Sequence, residues 1–217
     1  MERHFQRELE SLKTSLIKMG SVVEENIAFA IRSVLEKRND LTHKVIETDK
    51  RVDALEIEID NAVIDLLALQ QPVASDLRFI IAAQKINNDL ERIGDLATTI
   101  AKQVINLEGK SPVKPLIDIP RMTDLAIAAI KDSLAAIAEW DSEKAKQVIT
   151  RDSQIDELNI QIFRELLSIM AEAPTKISDA FALIMVARSL ERIGDHATNI
   201  AERAVYYIEG IDIRHTL

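Results

Sequence analysis

Apolar residues recur along the first part of the chain at Phe5, Leu9, Leu12, Leu16, Met19, Val23, Ile27, Ala30 and Val34. The steps mostly alternate between four and three, which draws a stripe down one face of a helix at close to heptad spacing. Asn39-Asp40 interrupts the stripe. A second runs through Val45, Val52, Leu55, Ile59, Ala62, Leu66 and Leu69 until Gln71-Pro72 ends it, because the residue before a proline is driven out of the α region. A third passes through Ile86, Leu90, Ile93, Ala97, Ile100 and Val104 and stops at Glu108-Gly109, a helix-end glycine signature. The segment from Lys110 to Pro120 holds Pro112, Pro115 and Pro120, which no helix interior accommodates, so it reads as a linker. Asp118 is placed to cap the next helix, with Pro120 in its first turn. Beyond the linker, helices are expected over about Arg121–Glu139, Ser142–Ala171 and Thr175–Glu209, with Gly210 mirroring Gly109.

The two halves repeat each other. LERIGDLATTIA, Leu90 to Ala101, returns one hundred residues later as LERIGDHATNIA, Leu190 to Ala201, with changes only at Leu96/His196 and Thr99/Asn199. VIETDKRVDALEI, Val45 to Ile57, matches VITRDSQIDELNI, Val148 to Ile160, at an offset of 103. Each repeat carries one apolar stripe per helix, the requirement for an antiparallel three-helix bundle. The expected fold is therefore all-α: two tandem antiparallel three-helix bundles of six long helices, over residues 1–109 and 121–217, joined by residues 110–120 and related by a pseudo-twofold repeat. The first helix exceeds its counterpart by more than a dozen residues, so the halves are not equivalent.

Composition narrows the function. Apolar residues make up 47% of the 217 positions and aromatics only 4%, with five glycines and five prolines, a profile for long helices rather than sheets. The net charge of −9 and the absence of a basic run argue against nucleic-acid binding, which depends on neutralising phosphates. Without cysteine, disulfides and thiolate metal sites are impossible. The longest apolar run, Ala180 to Ala187, falls far short of the roughly 20 residues of a membrane span. The start, MERHFQRELESLK, lacks an apolar signal core. The expectation is that any membrane association comes through a partner.

Carboxylates supply the candidate chemistry. Glu91 and Asp95 stand four apart on the third helix of the first repeat, and Asp49 and Asp53 share that spacing on the second helix. The second repeat carries Asp152/Asp156 and Glu191/Asp195. Each pair shares a helix face, and short connections make consecutive helices antiparallel neighbours, so each repeat can gather four carboxylates. With Leu90 at a and Ile93 at d, Glu91 falls at b and Asp95 at f; with Val52 at a and Leu55 at d, Asp49 falls at e and Asp53 at b. The acids are thus expected on the outer surface, with Gly94 at an e position beside them, where its missing side chain lets a neighbouring helix or a ligand come close. Like charges four apart repel, and a cation turns repulsion into coordination. Acids on outer helix faces are ordinarily solvated; four pairs on corresponding helices in both repeats set these apart. Oxygen ligands favour Mg²⁺, Mn²⁺, Ca²⁺ or iron.

His196 follows the second motif directly and is a further candidate ligand, whereas His4, His43 and His215 show no ligand-like spacing. Trp140 is placed to pack at a helix junction. No Walker loop, nucleophile elbow or dinucleotide glycine fingerprint occurs. Three functions compete: a metal-binding adapter without catalysis, a metal-dependent hydrolase or oxidase on surface carboxylates, and a structural helical protein. Against the second, di-iron bundle enzymes use core Glu and Glu-x-x-His ligands, and Glu191 has no histidine at that spacing.

The two Leu-Glu-Arg-Ile-Gly-Asp stretches, the Asp49…Asp53 and Asp152…Asp156 repeats and the opening His4…Leu9…Leu12…Leu16 heptads resemble the PhoU family of regulators of phosphate uptake. The resemblance spans nearly the whole chain. It implies two three-helix bundles side by side, and surface metal sites, multinuclear in some members, at Asp49, Asp53, Glu91, Asp95, Asp152, Asp156, Glu191 and Asp195. Iron, manganese, magnesium or zinc would fill them. It further implies a cytoplasmic protein that often dimerises; with the composition, the expectation is a homodimer without enzymatic activity that neither binds nucleic acid nor inserts into the bilayer. Such a protein would link the ATPase subunit of the phosphate ABC transporter to the sensor histidine kinase and hold down the phosphate-starvation response.

Overall fold

The computed structural model describes residues 2–107, 113 and 116–213. The Glu108-Gly109 stop, Pro112, Pro115 and His215 lie outside them. Every element among the described residues is helical. In chain order these are α1 (Glu2–Glu36), α2 (Asn39–Gln70), α3 (Ala74–Lys102), the short α4 (Val104–Leu107), α5 (Asp118–Glu139), α6 (Ser142–Arg151), α7 (Ser153–Glu172), a 3₁₀ turn at Pro174–Lys176, and α8 (Ile177–Glu209). Helices α1, α2 and α3 form one antiparallel bundle; α5, the consecutive pair α6/α7, and α8 form the other.

Connections end where local chemistry dictates. Lys37 takes φ +52° after α1, and Gln71 takes φ +47° before Pro72. Trp140 takes φ +59° between α5 and α6, and its ring meets Tyr207 edge-on at 4.6 Å. Asp141 caps α6 by accepting from the Lys144 backbone N–H at 3.0 Å. Gly210 caps α8 at φ +74°.

Three details correct the sequence expectation. The helix expected over Ser142–Ala171 is divided at Asp152, whose N–H turns back to Ile149 O at 3.4 Å in a tighter 3₁₀-type step. Asp118 lies inside the first turn of α5 rather than capping it, Ile117 being the flanking residue. On α2 the buried stripe passes through Val63, while Ala62 is only half-buried and Leu69 is 72% exposed. The drift is what an ideal helix of 3.6 residues per turn shows against a strict heptad.

The remaining stripes are buried as their spacing demands, from Leu12 to Val34 on α1 and from Ile86 to Ile100 on α3. The apolar core is one continuous body through both bundles. Its seam is made by α3 and α8, the two helices bearing the repeated motif, which lie against each other, with α1 beside α5. At that second contact Gly20 leaves room for the end of the Leu134 side chain, which a Cβ there would displace.

Candidate metal centre

On α2 the buried positions Val52, Leu55 and Ile59 fix the helix rotation, leaving Asp49 half-buried and Asp53 exposed. On α3, Leu90 and Ile93 are fully buried, leaving Glu91 half-buried and Asp95 exposed. The second repeat copies this pattern at Asp152, Asp156, Glu191 and Asp195. All eight carboxylates therefore lie at the surface, on the helix pair opposite the first helix of each bundle.

The glycine of each motif makes this arrangement possible. A Cβ at Gly94 would lie 2.9 Å from Asp49 Oδ1 and 3.3 Å from Val52 Cγ1. At Gly194 it would lie 2.9 Å from Ile155 Cδ1 and 3.2 Å from Asp152 Oδ1. The missing methyl lets the aspartate of the second helix lie across the third. That close approach offsets the roughly 1 kcal/mol that glycine costs in a helix interior.

The two repeats then diverge. Asp156, Glu191 and Asp195 each offer a carboxylate oxygen within 4.8 Å of the others. Cations bonding oxygen at roughly 2.0–2.6 Å hold their ligands about 3–5 Å apart, so this all-oxygen set fits a hard divalent ion. In the first repeat Arg92 sits among the acids instead, its Nε 3.2 Å from Glu91 Oε2 and its Nη1 3.1 Å from Asp95 Oδ2. Glu56, absent from the sequence expectation, joins the first cluster through its electrostatic coupling to Asp53, Glu91 and Asp95. Its spacing from Asp53 and Asp49 is a usable signal, but the second repeat has Asn159 there, so comparing the repeats hides it.

Crowding marks the carboxyl groups. Burial, then Asp53 and Asp95, push Asp49 up to about 6 against the pull of Lys102. Burial, then Asp156 and Asp195, push Asp152 up to about 6. Glu91, Glu191 and Asp195 are also raised, chiefly by burial and then by a neighbouring carboxylate.

His196 is engaged across the seam, while its charge also acts on Asp195. Its Nδ1 lies 2.8 Å from Asp89 Oδ1, and Asn199 Nδ2 donates to the same oxygen at 3.3 Å. The group ties α8 to α3 across the seam. The pseudo-symmetric positions are Leu96 and Ser189, so the tie exists on one side of the pseudo-twofold only.

A family model described as the PhoU domain matches residues 16–104 and again 119–204. The chain belongs to the PhoU family. Each match contains one complete set of motif carboxylates. Among relatives, a phosphate-specific transport system accessory protein PhoU homolog of Pseudomonas putida is 39% identical over 99% of this chain and 84% of its own length. The PhoU of Escherichia coli (strain K12), named in the same way, is 35% identical over 97% of this chain and 88% of its own. The crystal structure of PhoU from Pseudomonas aeruginosa superposes with a TM-score of 0.90 at 37% identity, covering 95% of this chain and all of that one. The phosphate transport system regulatory protein PhoU from Streptococcus pneumoniae superposes at 0.89 with 29% identity, covering 96% and 98%. The two-bundle architecture is thus the PhoU fold, and the internal duplication coincides with its two domain matches.

The raised carboxyls predict how the metal-free protein responds to pH. Asp49 and Asp152 have folded values of about 6, against 3.8 for an unperturbed aspartate. Their protonation favours the folded form: the gain is complete below the unfolded value and lost as pH rises through the folded one. Chelator-treated protein should therefore melt at a higher temperature near pH 5 than near pH 7.5. Saturating Mn²⁺ should reverse the slope, because protons compete for the same oxygens. Melting curves by circular dichroism with and without Mn²⁺ check both signs.

Proposed function

We propose that this PhoU-family chain is a metal-binding regulatory adapter of phosphate uptake that catalyses no reaction. It works on the cytoplasmic side as a homodimer, linking the ATPase subunit of the phosphate ABC transporter to the sensor histidine kinase and holding down the starvation response. The observation that carries this reading is likeness over nearly the full chain to proteins named as accessory to phosphate-specific transport. Membrane contact would be indirect, since no described helix is long and apolar enough to cross a bilayer.

The carboxylate sites give the adapter a controllable element. Asp156 stands on α7, and Glu191 and Asp195 stand on α8. Bare, they repel one another; a cation held by all three would fasten α7 to α8. The chain's own residues would supply the oxygens, and the metal a fixed positive charge at the surface. In the first repeat Asp49, Asp53, Glu91 and Asp95 would serve the same purpose once Arg92 swings aside.

Co-purification tests the adapter role. Tagged protein from phosphate-rich cells is expected to retain both the ATPase subunit and the kinase. Loss of both from a folded protein contradicts the role. Retention of the ATPase subunit alone would remove the kinase link.

A further inference from the structure

The corresponding helix faces of the two repeats differ in charge. A groove of about 530 Å³ between α7 and α8 is lined by Arg164, Arg188 and Arg192 together with Ile160, Phe163 and Ile184. The repeat offsets of 103 and 100 give the matching first-repeat positions: Asn61 for Arg164, Asn88 for Arg188, Asp60 for Phe163 and Gln84 for Ile184. The first-repeat face is acidic and polar at these positions. There Asp60 accepts hydrogen bonds from Gln84 at 2.8 Å and Asn87 at 2.7 Å. The second repeat has exchanged that network for cations and apolar wall.

Arg188 and Arg192 feel the charge of Glu191, and Arg192 that of Asp195 as well, but none of the three groove arginines is closed into a direct pair. Arg92 bridges two carboxylates, but Arg164, Arg188 and Arg192 make no hydrogen bond or ion pair with any described residue. The chain has 36 acidic residues against 27 basic ones, and some exposed arginines are paired, as Arg51 is with Glu25 and Arg151 with Asp132. Arg188 and Arg192 are one turn apart on α8, and Arg164 faces them from α7. Guanidinium groups converging from two helices suit a phosphate, which takes their paired donors bidentately. A bare phosphate leaves most of the groove unfilled. Ile160 and Phe163 are 49% and 47% exposed along its wall, surface that a hydrocarbon or ring would cover.

We infer that the groove between α7 and α8 binds a phosphate monoester, its phosphate on Arg164, Arg188 and Arg192 and its organic body against Ile160, Phe163 and Ile184. Glu191 and Asp195 also border the groove. A cation on them would relieve their repulsion of the phosphate, but the arginines are what hold it.

Calorimetric titration of the full chain tests this, with and without Mn²⁺, using phenyl phosphate, inorganic phosphate, adenosine monophosphate and, as a phosphate-free control, phenol. Phenyl phosphate should bind at least about tenfold more tightly than inorganic phosphate, the worth of covering one aromatic ring, and phenol should not bind. The paired change Arg164→Gln and Arg188→Gln should weaken both phosphates about tenfold or more. Phe163→Ala should weaken phenyl phosphate alone. Adenosine monophosphate binding more tightly than phenyl phosphate makes the natural ligand a nucleotide; weaker binding makes it a smaller monoester. No saturable binding in either condition overturns the inference, as does equal affinity for phenyl and inorganic phosphate, or an arginine variant that binds like wild type. Because all substitutions are at exposed positions, an unchanged melting temperature certifies each variant. Mn²⁺ binding, followed separately by electron paramagnetic resonance, decides the metal reading independently of the phosphate titrations.

Discussion

Alanine at both Glu191 and Asp195 abolishes most of the stabilisation that Mn²⁺ gives the second repeat, while leaving the metal-free protein as stable as wild type or more so. The side chains lie off the core stripe, so no cavity forms. In the metal-free state each is held above its ordinary pKa by burial and by a neighbouring carboxylate, so removing them removes an unfavourable interaction. Alanine also has the best helix propensity. With metal, the wild type should gain about 2.7 kcal/mol per site at a hundredfold excess over the dissociation constant, roughly 5–10 °C in Tm for a chain of this size. The same substitutions at Glu91 and Asp95 should cost less of that gain, because Arg92 already neutralises the pair. Equal metal-induced shifts in the Glu191/Asp195 variant and wild type would place the cations elsewhere. A variant that unfolds without metal would mean that these carboxylates hold the structure together themselves.

The position before Glu191 should respond in the opposite way. Leu190 is fully buried on α8, the helix that packs against α3, α5, α6 and α7 together. Leu190→Ala should cost about 2–5 kcal/mol, the lost transfer energy plus the cavity left behind, or roughly 4–20 °C in Tm. Ile193→Val, in the same stripe, should cost only about 0.5–1.5 kcal/mol. Chemical denaturation with a shared m-value measures both. A loss below about 1 kcal/mol for Leu190→Ala would mean that the seam relaxes to fill the gap, and that α8 is not a rigid centre of the molecule.

Much of this was legible in the chain. The stripes from Leu12 to Val34 and from Ile86 to Ile100 are buried throughout, because period and packing agree. The outward placement of the carboxylates followed from the same register. The place of Gly94 beside them was readable too, but not its contact: the atom it makes room for, Asp49 Oδ1, belongs to another helix. Three features were hidden because they depend on partners brought together only by folding. The spacing of Glu91, Arg92 and Asp95 equals that of Glu191, Arg192 and Asp195, yet one arginine closes onto its acids and the other faces a groove. The role of His196 could not be read from its place in the motif, because its partner is Asp89, 107 residues earlier. The charge difference between the repeats was readable from the offsets, at Asn61/Arg164 and Asn88/Arg188, but only folding shows that the arginines line one groove.

Anomalous scattering from crystals grown with Mn²⁺ decides whether the repeated carboxylates are a metal site. A peak is expected bonded to carboxylate oxygens of Asp156, Glu191 and Asp195, at the roughly 2.0–2.6 Å of a hard cation. Manganese found only away from these residues, or a carboxylate trio that stays metal-free in saturated crystals, would contradict that assignment.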